Sequence, residues 1–181
     1  MKDNYFKLER ATQVAGLLFV ALFGAIVIDS TGALFAKIYN SGPFYSGYQG
    51  LGRYILTMFH GGVSFPDPNF SEIPKVEGET FVGVTAHLLV CVFDTFMYFI
   101  LTFKVLKSTP KIMPALIMMW VFIFMPFFIQ MPALGMGWAG DASPLKNIIH
   151  WRTFVCHSVF GLGLYLGTIL FFKYIHRKNI T

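Results

Sequence analysis

Four runs of this chain are long and apolar enough to cross a bilayer, and that limits the fold more than any other feature. Spanning the hydrocarbon takes about 20 apolar residues. Residues 11–36, 80–106, 112–137 and 150–174 each reach that length. They are too long and continuous for strands, and no stretch shows the alternating ten-residue pattern of a membrane β-barrel. With no water in the bilayer core, each run must satisfy its backbone polar groups internally, which a helix does. The expected fold is an all-α membrane protein: a four-helix transmembrane bundle with a long extracytoplasmic loop, residues 37–79, between helices 1 and 2. Residues 1–181 are read as a single transmembrane domain, with no internal repeat and no low-complexity tract.

Composition agrees. Charged residues make up 13% of the chain and hydrophobic ones 55%, whereas soluble domains carry about 25% charged residues. The net charge of +5 does not point to nucleic acid. The basic residues flank apolar runs, as in membrane proteins, and form no basic stripe. The expected partner is the lipid bilayer, with a homo-oligomer or a membrane partner in addition and no nucleic acid. Cys91 and Cys156 both lie inside apolar runs without a C-x-x-C, so a disulfide framework is not expected.

Lys2, Lys7 and Arg10 ahead of an apolar run resemble a signal peptide. The run continues past Asp29 to Phe35, and no clean small-x-small site precedes a polar mature start, so it is read as a span. Orientation follows from Lys and Arg. With a cytoplasmic N-terminus, Lys2, Lys7, Arg10, Lys104, Lys107, Lys111, Lys173, Arg177 and Lys178 lie inside, nine in number. Lys37, Arg53, Lys75, Lys146 and Arg152 lie outside, five in number and spread over longer segments. The positive-inside rule then puts both termini in the cytoplasm. The turn at 104–111 makes spans two and three an antiparallel hairpin. Within the outer loop, residues 50–60 read as an amphipathic surface helix and residues 65–79 as extended loop.

The apolar spans also carry polar side chains, and their depths agree. At 1.5 Å per residue, Asp29, His87, Gln130 and His157 each fall roughly 9–11 Å below the outer end of their span. Asp94 lies deeper. His87, Cys91 and Asp94 fall within about 60° on one helix face. His150, His157, Gly161 and Thr168 share a face of span four. Charge at the bilayer centre costs about 2.5–3.5 kcal/mol, so such residues face the bundle interior and have partners. The expected intramembrane polar site is Asp29, His87, Asp94, Gln130 and His157. Its plain alternative is interhelical hydrogen bonding at about 0.6 kcal/mol per contact. Arg53, Glu79, His150 and Arg152 form the outer rim, where Arg53, Glu79 and Arg152 are expected to pair as a lid.

Pro126 and Pro132 should break span three. A carbonyl freed near Gln130 is then a candidate ligand for an ion, as in the broken helices of transporters. Gly163 and Gly167 form a small-x-x-x-small surface for close helix packing. His87, His157, Cys91 and Cys156 are the candidate metal or haem ligands, although no cofactor can be named. The methionines on span three suit core filling better than copper binding. No familiar enzyme signature occurs, which argues against an enzyme.

Several motifs together carry a resemblance: GLGRY at 50–54, ETFVGVTAH at 79–87, MPALIMMW at 113–120, MPFFIQMPALGMGWAG at 125–140 and WRTFVCHSVFGLGLYLG at 151–167. The chain resembles an uncharacterised bacterial family of small multi-pass integral membrane proteins, a domain of unknown function, from about residue 14 onward. Its strongest elements are Glu79-x3-Gly83-x3-His87, the Pro132-Ala133-x-Gly135-x-Gly137 turn, and His157-x2-Phe160-Gly161-x-Gly163-Leu164-Tyr165. The family pattern has Gln directly before the proline of the turn. Here Met131 separates Gln130 from Pro132. The resemblance implies four spans and no particular activity. Three functions stay open: a small transporter or permeation protein, a membrane-embedded metal- or haem-binding redox protein, and an accessory protein of envelope homeostasis.

Overall fold

The computed structural model describes residues 4–40 and 43–178, without the side chain of Lys178. Lys2, counted above for orientation, lies outside them, as does the side chain of Lys178.

Helices dominate the described residues, and none of these residues forms a strand. They are α1 (Arg10–Ile38), α2 (Ser46–Met58), α3 (Glu79–Phe99), α4 (Ile112–Phe122), the single turn α5 (Met131–Ala133) and α6 (Lys146–Lys178). α3 continues as a π-helical turn over Ile100–Val105, and a second π-helical turn, Pro126–Gln130, leads into α5. Four stretches are long and apolar enough to cross a membrane: Arg10–Ile38, Glu79–Val105, Ile112–Ala133 and Lys146–Arg177. The all-α class and the number of spans are therefore as expected. Large apolar side chains lie exposed along all four, among them Ile26, Leu89, Val121 and Leu170. Surface of that kind suits lipid rather than water.

The boundaries differ where local chemistry overrides hydrophobicity. The last helix starts at Lys146, four residues before the expected 150. Ser143 accepts a hydrogen bond from the Leu145 N–H, and Pro144 supplies a preset backbone angle, so this pair begins the helix. Span three stops at Ala133 rather than 137, because Gly135 and Gly137 adopt φ of +71° and +72°, a region that favours glycine. The break expected at Pro126 takes the form of the π-helical turn, in which the Met131 N–H reaches the Pro126 carbonyl. The Gln130 carbonyl itself accepts from the Leu134 N–H at 3.0 Å.

The loop expected to be extended over 65–79 is folded into turns. Asp67 is buried, and its carboxylate accepts from the N–H groups of Ser64 (3.2 Å) and Asn69 (3.1 Å). A short 3-10 turn follows at Phe70–Glu72. Aspartate side chains stabilise such turns by binding nearby backbone. The helix expected at 50–60 is present as α2, beginning four residues earlier.

The chain divides into two compact units. The first comprises Met1–Ser30, Leu88–Trp120 and His157–Thr181, and the second Thr31–His87 and Val121–Cys156. In the first, glycines bring α6 against α1. A Cβ on Gly163 would lie 3.1 Å from the Gly24 Cα, and one on Gly167 would lie 3.2 Å from the Phe23 ring. Gly161 faces the Ala115 carbonyl of α4 instead. An aromatic cluster fills the same unit. Tyr5 packs on Phe99 with ring centroids 4.3 Å apart, and Phe103 meets Phe172 at 5.6 Å. Burial pushes the Tyr5 phenol above its usual range.

Candidate functional site

The second unit is organised by one face of α3. Glu79, Gly83 and His87 recur every four residues, which puts them within about 80° of one another, and all three meet α2. Arg53 of α2 donates to both carboxylate oxygens of Glu79, at 2.8 and 3.1 Å. Its remaining guanidinium N–H group reaches the Ile73 carbonyl at 3.1 Å. Glu79 also accepts from the Val76 N–H at 3.1 Å. That arrangement anchors the loop at the start of α3, where a helix favours negative charge. The Glu79 hydrogen bond also holds the Arg53 guanidinium above its ordinary, already high, pKa.

One turn further along, the two backbones touch. A Cβ on Gly52 would overlap the Glu79 carbonyl oxygen, and one on Gly83 would overlap the Tyr48 carbonyl oxygen. Only glycine leaves room for that approach. The His87 ring then lies against Tyr48, with centroids 4.7 Å apart. Gln49 donates to Thr80 at 3.2 Å beside this seam.

The proline-glycine turn docks the loop in the same way. The Pro132 carbonyl accepts from the Asp67 N–H at 3.1 Å. A Cβ on Gly135 would lie 3.0 Å from the Asp67 carbonyl oxygen. Further along, Ala139 takes φ of 52°, and its carbonyl oxygen lies 2.6 Å from His150 Nε2. A carbonyl can only accept, so that nitrogen carries the proton.

The Arg53–Glu79 pair has side chains 15% and 6% exposed. Removing one partner of a buried pair leaves the other charge uncompensated, at about 3–5 kcal/mol. Arg53→Ala is therefore expected to lower thermal stability in detergent sharply. The double variant Arg53→Met/Glu79→Gln should lose much less. Equal losses in the two would mean that the ion pair is not what joins α2 to α3. Arg152 takes no part in this pair, contrary to the expected three-residue lid. Its guanidinium lies beside Gly32, 3.8 Å from where a Cβ would be.

The five residues of the expected polar layer are not all in one unit. Asp29, Asp94 and His157 belong to the first, His87 and Gln130 to the second. Within the first, Asp94 is only 7% exposed. Asp29 of α1 and Asp94 of α3 both lie within electrostatic reach of Cys91, which is itself buried. Asp29, Asp94, His87 and His157 all have interaction partners. Neighbouring hydroxyls are also engaged: Thr95 donates to the Cys91 carbonyl at 2.7 Å, and Trp120 of α4 donates to Ser158 of α6 at 2.9 Å. Gln130 and His157 are half-buried.

Neither cysteine is in a disulfide, and both are buried. Of the candidate ligands, His87 and Cys156 belong to the second unit, and Cys91 and His157 to the first. Among the described residues, no three His, Cys, Asp or Glu side chains gather in a way that could hold a metal.

The seams just described coincide with the motifs that carry the resemblance, and a family model covers them. The model described as "Protein of unknown function (DUF2938)" matches residues 18–171. The chain belongs to this DUF2938 family. No curated protein and no solved structure matches it. The DUF2938 match spans Glu79, Gly83 and His87, the turn from Pro132 to Gly137, and the run from His157 to Tyr165. In the last run Phe160 and Leu164 pack around Gly24, and Gly161 meets α4.

Sequence reasoning missed Asp67, Tyr48 and Gly52. Asp67 sits in Ser-Phe-Pro-Asp-Pro-Asn, whose Asp between prolines signals a turn. Gly52 was visible within GLGRY, but its partner Gly83 lies 31 residues away, and no local signal joins them.

Proposed function

We propose that this DUF2938 protein is a small permeation protein or transporter. In this reading it moves protons or another small cation through a polar centre built on Asp29 and Asp94. The observation that carries the reading is a pair of carboxyl groups on two membrane-length helices of one compact unit, Asp29 on α1 and the buried Asp94 on α3. Ionisable groups within a membrane span are costly, and they characteristically mark ion pathways or proton relays. Two carboxyl groups with a proton between them form a site that a small cation can enter and leave. His157 of the same unit is a candidate relay partner.

The experiment is flux through purified protein in liposomes, comparing wild type with Asp29→Ala, His87→Ala and His157→Ala. Loss of flux with normal protein levels supports the reading. Unchanged flux in all three contradicts it. We further propose a bacterial cytoplasmic-membrane location with both termini inside, following the distribution of Lys and Arg. Impermeant thiol labelling of cysteines added at either terminus tests that orientation, and labelling from outside the cell contradicts it.

A second reading is an accessory protein that acts through membrane partners. The seam made by Glu79, Gly83 and His87 favours it, because there each residue packs α2 and none is left for a ligand. Under that reading, substitutions at His87 lower stability and leave flux unaffected.

A further inference from the structure

One cleft in the first unit lies away from Asp29 and Asp94, and its chemistry is of a different kind. It has a volume of about 450 Å³, with Pro110 of the turn before α4 on one side and Ile169, Phe172, Lys173, His176 and Arg177 of α6 on the other. The α6 residues recur at three- and four-residue intervals, so they line one helix face. Along that face the character changes in order. Ile169 and Phe172 give an apolar floor, and Lys173 and Arg177 follow in the next turns as exposed cations.

The surrounding charge has one sign. Lys107 and Lys111 flank Pro110 in the turn, and no Asp or Glu occurs in residues 95–140 or after Asp141. Of the N-terminal acids, Asp3 lies outside the described residues, and Glu9 does not line the cleft. α6 is one of the helices long and apolar enough to cross a membrane, and the cations fall in its last two turns. Basic side chains at the end of a span lie at headgroup depth, and basic pockets between spans hold anionic headgroups.

We propose that this cleft binds an anionic phospholipid, its phosphate against Lys173 and Arg177 and its acyl chains over Ile169 and Phe172. A free phosphate would match the cations but would leave the apolar floor without a role. The assignment does not depend on the transport reading, since the cleft includes neither Asp29 nor Asp94.

The test is native mass spectrometry of the full chain in detergent, with phosphatidylglycerol and phosphatidylcholine added in equal amounts. Each basic group near an anionic surface is worth roughly five-fold in binding. Wild type should retain phosphatidylglycerol preferentially. Lys173→Ala/Arg177→Ala should lower its binding roughly 25-fold, to the phosphatidylcholine level. Lys173→Arg/Arg177→Lys should keep the preference. Both side chains are exposed, so these variants should fold. If the double alanine variant does not, Lys173→Gln and Arg177→Gln singly should each lower binding roughly five-fold. Equal retention of the two lipids by wild type overturns the proposal, as does a preference that survives loss of both cations. Inorganic phosphate is the remaining arm. If phosphate alone raises the melting temperature as much as phosphatidylglycerol does, and loses that effect in the double variant, the occupant is a free anion and the lipid assignment fails.

Discussion

Gly83→Ala and Gly52→Ala are each expected to separate α2 from α3. At both positions the added Cβ would overlap a carbonyl oxygen of the facing helix, and backbone cannot step aside as a side chain can. Overpacking a core costs about 1–3 kcal/mol when side chains can adjust, so these two sites should exceed that range. Displacing α2 also pulls Arg53 from Glu79 and Tyr48 from His87, whose contacts lie within one turn of the seam. A loss of about 3 kcal/mol in a chain of this size lowers the melting temperature by roughly 6–12 °C. Gly47→Ala is the internal control. It lies on the same helix, and a Cβ there would meet nothing within 4 Å. Thermal unfolding in detergent should separate the three variants. A shift at Gly83 or Gly52 no larger than that at Gly47 would mean that α2 does not pack on α3 as described.

Asp94→Asn should abolish ion flux while leaving the fold intact. Asp94 is 7% exposed within a membrane span, where an ionised carboxylate costs about 2.5–3.5 kcal/mol at the bilayer centre. A residue that costly persists where it is used. Asparagine keeps the shape and the capacity to hydrogen-bond to existing partners, and it removes only the exchangeable carboxyl proton. Asp29→Asn should act in the same direction, because Asp29 supplies the other carboxyl of the proposed centre. Asp94→Leu provides the contrast. It relieves the cost of burying a carboxyl but leaves the partners of Asp94 unmatched, so stability shifts together with flux. Full flux in Asp94→Asn would remove the carboxyl from the pathway. Unfolding of the same variant would make Asp94 a structural residue.

The fold was legible in the sequence where solvent dictates it. Four apolar runs of membrane length leave little choice but helix, so α1, α3, α4 and α6 were readable to within a few residues at most ends. The ends moved where single residues intervene. Ser143 and Pro144 start α6 early, and Gly135 and Gly137 close the third span early. The family resemblance singled out Glu79, Gly83 and His87, but a motif cannot say what those residues meet. The answer is a second helix whose glycine lies 31 residues earlier in the chain, and that is long-range packing with no local signature. His87 and His157 share a depth by residue counting yet belong to different compact units. Asp94, which residue counting puts deeper than the other four, belongs with Asp29 and His157.

Family membership sharpens this view. The DUF2938 match runs through all three seams, and each of the strongest motif residues with a described contact is engaged in packing. What the motifs do not explain is the acidic pair at Asp29 and Asp94, and there a function beyond architecture has the most support. The central claim is best tested by reconstituting purified wild-type protein and Asp94→Asn into liposomes with an internal pH-sensitive dye and imposing an ion gradient. An ion pathway through Asp94 predicts wild-type flux above empty liposomes and none above them for Asp94→Asn. Wild-type flux equal to that of empty liposomes for protons and for small monovalent cations would contradict it.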